Sequence, residues 1–171
     1  VPSSGLRRDR RGAAAVEFAV VALPFVTLVL LILEVAWQTA VAASIDHGVR
    51  EAGRWAALGQ PAPAGRTREQ EMLGIIADGS GLPLGPDLSL TIRSYASFAA
   101  AGDAAQARCP AGPAGGGAGV SGALGGPRMV MRYDVSYRSA GLTPIGRSLL
   151  PLGMLSHCIV LVTVNEPFPE S

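Results

Sequence analysis

The stretch Gly12 to Leu33, GAAAVEFAVVALPFVTLVLLIL, decides how this chain is built. From Phe18 to Leu33 it holds no charged side chain, and Ala13 to Val16 extend the apolar run backwards past the single carboxylate of Glu17. Ala13 to Leu33 is 21 residues, and an α-helix rising ~1.5 Å per residue needs ~20 apolar residues to cross the hydrocarbon core of a bilayer. The stretch reads as a membrane span. Arg7, Arg8, Arg10 and Arg11 precede it, while the next arginine is Arg50. The positive-inside bias therefore predicts a cytoplasmic N-terminus, with everything after Trp37 outside.

Glu17 is the anomaly in the span. A carboxylate at membrane depth is disfavoured by a few kcal/mol, roughly, and is kept where a partner or a function requires it. The residues around it form a distinctive string: a basic leader, then Gly12, then Ala13, Ala14, Ala15, Val16, Glu17 and Phe18, with an apolar helix beginning at once. This string, RRGAAAVEFAVVALPF, resembles the processing site of type IV prepilins, and in particular the TadE-like pseudopilins of the tight-adherence (Flp, type IVb) pilus system. The likeness covers roughly residues 7 to 59, with a looser one over the last forty.

The resemblance implies a membrane peptidase that cuts between Gly12 and Ala13, leaving Glu17 at the fifth position of the mature chain. It implies that Glu17 and Phe18 take part in assembly. The partners it implies are the prepilin peptidase, other pilins or pseudopilins, the membrane platform of the machinery, and the lipid bilayer of the bacterial cytoplasmic membrane. The major pilin of that system is far shorter and usually carries Glu-Tyr where this chain has Glu17-Phe18, which points to a minor subunit. Three other readings compete on the residues alone. Glu17 is also compatible with an uncleaved single-pass anchor carrying a binding or sensor ectodomain. Ala40-Val41-Ala42 offers a small-residue cleavage site for a secretory signal, although the apolar run is longer than the ~7 to 15 residues usual there. The arginine pairs suggest a twin-arginine signal but lack the residues expected after them.

Composition narrows the function further. The net charge is +1 and four of the arginines belong to the leader, so nothing electrostatic points to nucleic acid. All 14 basic side chains are arginine, which excludes a P-loop or a Schiff-base lysine. His47 and His157 lie on different elements with no ligand set at metal spacing, and no nucleophile signature appears. No catalytic residue, metal or cofactor is expected. Cys109 and Cys158, the two cysteines, both fall on the outer side of the predicted topology, where an even count favours a disulfide.

Beyond Glu34 the helix becomes one-sided. Trp37, Val41, Ile45, Gly48, Ala52 and Trp55 recur at spacings of three and four, predicting a buried stripe, while Gln38, Asp46, Arg50, Glu51 and Arg54 are read mostly onto other faces. Asp46 and Arg50 are placed to pair. Pro24 predicts a kink or loosened turn. After Gly59-Gln60-Pro61, Thr67 and Gln70 form a capping box for a short helix that stops near Asp78 and Gly79. Leu88 to Tyr95 and Met129 to Tyr137 alternate as half-buried strands, and the β-branched run Cys158 to Val164 reads as a central strand covered on both faces. GGGAG lacks the strand, helix and lysine of a phosphate cradle.

The predicted organisation is a basic leader at 1–12, a transmembrane helix at 13–36, an amphipathic extension at 37–59, and an extracytoplasmic domain at 60–171 with a flexible Ala/Gly-rich loop at 96–127. The predicted fold is α+β and pilin-like. A helix of about 46 residues, roughly 70 Å long, packs its outer half on a small antiparallel sheet of three or four strands.

Overall fold

The computed structural model describes residues 10–82, 87–103 and 119–167. The first helix, α1, runs unbroken over Arg10–Ala57. It continues through Pro24, so the proline does not end the helix. Thr27 and Thr39 turn their hydroxyls back onto the carbonyls of Leu23 and Val35, each at 2.8 Å, which gives both side chains a partner inside an apolar helix. Among the described residues, α1 is the one helix long and apolar enough to cross a membrane, and its first half from Val16 onward leaves its large apolar side chains exposed.

The second half of α1 is the spine of the α+β fold. Val41, Ile45, Val49, Ala52 and Ala56 are buried in one core with Met72, Leu73, Ile76 and Ala77 of α2, the helix Arg68–Ser80. The capping box opens α2, with Thr67 and Gln70 bonding reciprocally. It ends one residue later than predicted, where Gly81 takes a left-handed φ of 64° and its N–H reaches the carbonyl of Asp78. Gly48 lets the two helices touch: a Cβ there would stand 2.5 Å from the Ile76 carbonyl oxygen. Asp46 and Arg50 pair at 2.8 Å on the wet face.

The sheet holds β1 (Leu88–Tyr95), β2 (Gly119–Ser121), β3 (Val130–Ala140) and β4 (Met154–Val164) in the order β2-β1-β3-β4. β1, β3 and β4 are antiparallel, and β2 adds three residues in parallel to β1. The α+β expectation is met. Period-two alternation sends Leu88, Leu90 and Ile92 of β1, with Met131, Tyr133 and Val135 of β3, into the core beneath α1 and α2. Gly53 makes room on α1 for Leu161 of β4, whose Cδ2 lies 2.2 Å from where a Cβ would sit.

Two expectations are corrected. The run Cys158–Val164 belongs to an edge strand, not a central one, and its outward residues Cys158, Val160 and Val164 are exposed; an apolar, β-branched composition reports hydrophobicity and not pairing order. The stretch 96–127 is not wholly loop, since it contains α3 (Phe98–Asp103) and β2, while 104–118 lie outside the described residues. The segment between β3 and β4 holds α4 (Pro144–Leu149), capped by Thr143, and a 3-10 turn at Pro151–Gly153.

The second face of the sheet is not simply wet. Arg132 and Asp134 are almost fully buried, and Arg132 Nε donates to Asp134 Oδ1 at 2.8 Å. The Arg132 guanidinium also reaches the Ala101 carbonyl of α3 at 3.4 Å. Arg93 sits directly opposite Arg132 across the strand pair. Two facing guanidinium groups repel, and Asp134, 3.8 Å from Arg93 Nη1, lies where it offsets both.

Candidate anchoring and assembly site

Gly12, Ala13, Glu17 and Phe18 all lie in the first turns of α1. Glu17 and Phe18 are exposed, and a Cβ at Gly12 would meet nothing within 4 Å. Ala13 and Glu17 are four residues apart, so they share one helix face a turn apart. Among the described residues, nothing from the rest of the fold covers Glu17 or Phe18. Cys158 lies on β4 opposite Ser136 and is not a free thiol; Cys109 lies outside the described residues.

At the other end of the span the structure builds a polar cluster that the sequence reading did not anticipate. Glu34 and Gln38, only 6% and 8% exposed, occupy the packed face of α1. Trp37, read as the first member of the stripe, is instead 42% exposed. The helix is rotated from the predicted stripe so that two polar side chains meet the domain while the indole faces outward. Trp55 too is only partly buried, with Val49 and Ala56 taking the deeper positions.

Glu34 works as an acceptor for the segment after β3. Its carboxylate takes the backbone N–H of Leu142 at 3.1 Å, the N–H of Thr143 at 2.9 Å and the Thr143 hydroxyl at 3.2 Å. The side-chain amide of Gln38, one turn along, donates to the remaining lone pairs at 2.9 Å. Gly146 is the neighbour that makes this fit possible, because a Cβ there would fall 2.1 Å from Glu34 Oε2.

Gln38 then extends the chain of bonds into the sheet. With its NH₂ committed to Glu34, its Oε1 faces Ser139 and His157, and it accepts from the Ser139 hydroxyl and lies 3.0 Å from His157 Nε2. An oxygen can only accept, so His157 carries its proton on Nε2. Ser139 Oγ is 2.9 Å from the same nitrogen. The strand alternation explains the meeting: Ser139 of β3 and His157 of β4 both point to the helix side of the sheet. Burial holds the His157 imidazole below its ordinary pKa.

A signal for this cluster was available. Extending the buried stripe backwards from Ile45 and Val41 by steps of three and four lands on Gln38 and Glu34. Two hydrogen-bonding side chains in phase with a packed stripe call for buried polar partners. What the arrangement does is mechanical: it fixes the segment after β3 and the edge of the sheet to the helix where the helix leaves the apolar run. Among the described residues no group of three His, Cys, Asp or Glu side chains is placed to hold a metal ion.

No curated protein and no solved structure matches the chain. Residues 12–54, which hold the apolar run together with Glu17, Glu34 and Gln38, match the model of the family described as TadE-like protein, so over this stretch the chain is similar to the TadE-like proteins.

Proposed function

We propose that this chain is a minor pilin or pseudopilin that supports assembly of a tight-adherence pilus and its secretion machinery. In this reading a prepilin peptidase removes residues 1–12 by cutting between Gly12 and Ala13. The mature helix sits in the bacterial cytoplasmic membrane with its N-terminus on the cytoplasmic side. Its partners there are other pilins or pseudopilins and the membrane platform. The observation that carries the reading is a coincidence: the family match over 12–54 begins at the glycine that stands five residues before the one carboxylate of the apolar run.

Glu17 gives the reading its mechanism. Cleavage would create an amino group on Ala13, one turn from Glu17, and a buried carboxylate needs such a partner. Pairing within one chain neutralises the charge; pairing of Glu17 with Ala13 of a neighbouring subunit does so only when the helices are in register, with Phe18 packing beside the pair. The second arrangement turns the carboxylate into a stacking device. A Cys109–Cys158 bridge belongs to the same proposal. It would tie the long segment before β2 to the edge strand, and Cys158 not being a free thiol supports it.

Intact mass of the protein purified without reductant tests processing and bridging together. The expected species starts at Ala13 and is lighter by two hydrogens than the dithiol. A species retaining Gly12 in cells that carry the peptidase would favour an uncleaved anchored ectodomain, and a start near residue 43 would favour a secretory signal. For assembly, Glu17→Gln is expected to leave insertion intact while lowering co-purification of partner pilins from solubilised membranes; unchanged recovery would remove the assembly role of the carboxylate.

A further inference from the structure

The segment between β3 and β4, Gly141 to Gly153, reads GLTPIGRSLLPLG and carries one charge, Arg147. It is a closed loop: the Gly141 N–H donates to the Gly153 carbonyl at 3.0 Å, and Arg147 Nε donates to the Gly141 carbonyl at 2.9 Å. Three of its leucines are turned out instead of in, while Ile145 and Leu150 are half-buried. Leu142 is 49% exposed, Leu149 67%, and Leu152 wholly so. Leu152 also holds a left-handed φ of 54°, a conformation that costs a leucine free energy and that its own packing does not repay.

The position of this loop along α1 identifies what covers it. Glu34 binds it through Leu142 and Thr143, and Gly146 lies against the same carboxylate. From Ala14, where the candidate span begins, to Glu34 is 20 helical residues, ~30 Å of rise, which is the thickness of the hydrocarbon core. Glu34 therefore sits at the far boundary of the bilayer, and the loop sits at that depth beside the helix. The half-exposed Trp37 marks the same level, where indoles collect at the headgroups. We propose that Gly141–Gly153 is a second, monotopic membrane contact: Leu142, Leu149 and Leu152 enter the outer-leaflet interface, and Arg147 lies among lipid phosphates. The domain is thus held to the membrane at two places, the span and this loop. The proposal rests on α1 crossing the bilayer.

Nitroxide accessibility separates the two claims. The full chain is reconstituted into vesicles of phosphatidylcholine and phosphatidylglycerol, with the label on a non-canonical residue placed singly at Val29, His47 or Leu152, leaving both cysteines untouched. Expected is more collision with oxygen than with a water-soluble nickel chelate at 152, as at 29, and the reverse at 47. Nickel exceeding oxygen at 152 while 29 stays lipid-like would overturn the loop proposal and leave the span standing. Low collision with both reagents at 152 would mean a protein contact, and dipolar broadening relieved by unlabelled chain would identify a second copy; either result overturns the proposal. A label at 29 in water would remove the span itself, and the loop proposal with it.

Discussion

Tyr133 carries its hydroxyl into the core, where it is fully buried and has no hydrogen-bond partner among the described residues. Burial pushes its pKa up to about 12, against the opposing charge of Arg68, so the ring stays neutral through any physiological range. A hydroxyl removed from water without a partner is a cost that the ring's packing must outweigh. Tyr133→Phe keeps the packing and deletes the cost. We expect it to leave the fold unchanged and to raise stability by ~1 kcal/mol, measured as a higher urea midpoint with an unchanged slope. A clear loss of stability would mean the hydroxyl has a partner. The neighbouring Arg132 and Asp134 differ in kind: they are paired at 2.8 Å, and removing either one would strand the other.

At the scale of elements, α1 is two helices in one rod, and the change of role falls at Glu34. Before it most side chains are exposed all round; after it one face joins the core with α2 and the sheet. The hinge between the two roles is tested by Glu34→Ala, which leaves the Leu142 and Thr143 amides without their acceptor. We expect amide exchange at those two residues to rise ~10-fold or more, while the β1–β3 amides keep their protection. Equal protection in both proteins would show that α4 is docked by something other than Glu34. Much of this architecture is legible in the sequence: Val41, Ile45, Gly48 and Ala52 declare a packed stripe because apolar and small residues recur in helical phase. Glu34 and Gln38 escape notice because polarity suggests water, and only their phase with the stripe betrays them. The edge position of β4 is illegible for another reason. Its apolar residues would suit either place, and pairing order is set by a long-range connection through α4 that no local pattern records. The Ala101 carbonyl that Arg132 reaches belongs to α3, a six-residue helix in an alanine-rich stretch that gives no local signal.

For the molecule as a whole, anchor and domain are not separable units. The core includes Val41, Ile45, Val49, Ala52 and Ala56 of the same helix that carries the apolar run, so any force on that run reaches the sheet through one continuous rod. The Glu34–Gln38–His157 chain is the second path, and it has a pH dependence whose sign can be worked out. Burial lowers the His157 pKa beneath its ordinary 6.5, so below that value the unfolded chain takes up a proton that the folded one declines. Stability from this group is therefore fully present above 6.5 and is lost as pH falls through the lower folded value. His157→Gln keeps a donor for the Gln38 oxygen and removes the titration. We expect the stability of the wild-type protein to fall more steeply than that of His157→Gln between about pH 7.5 and about pH 5.5, followed by denaturant midpoints at fixed ionic strength. Parallel curves would show that His157 meets the proton equally well in both states, and the cluster would then be a fixed joint with no response to acid.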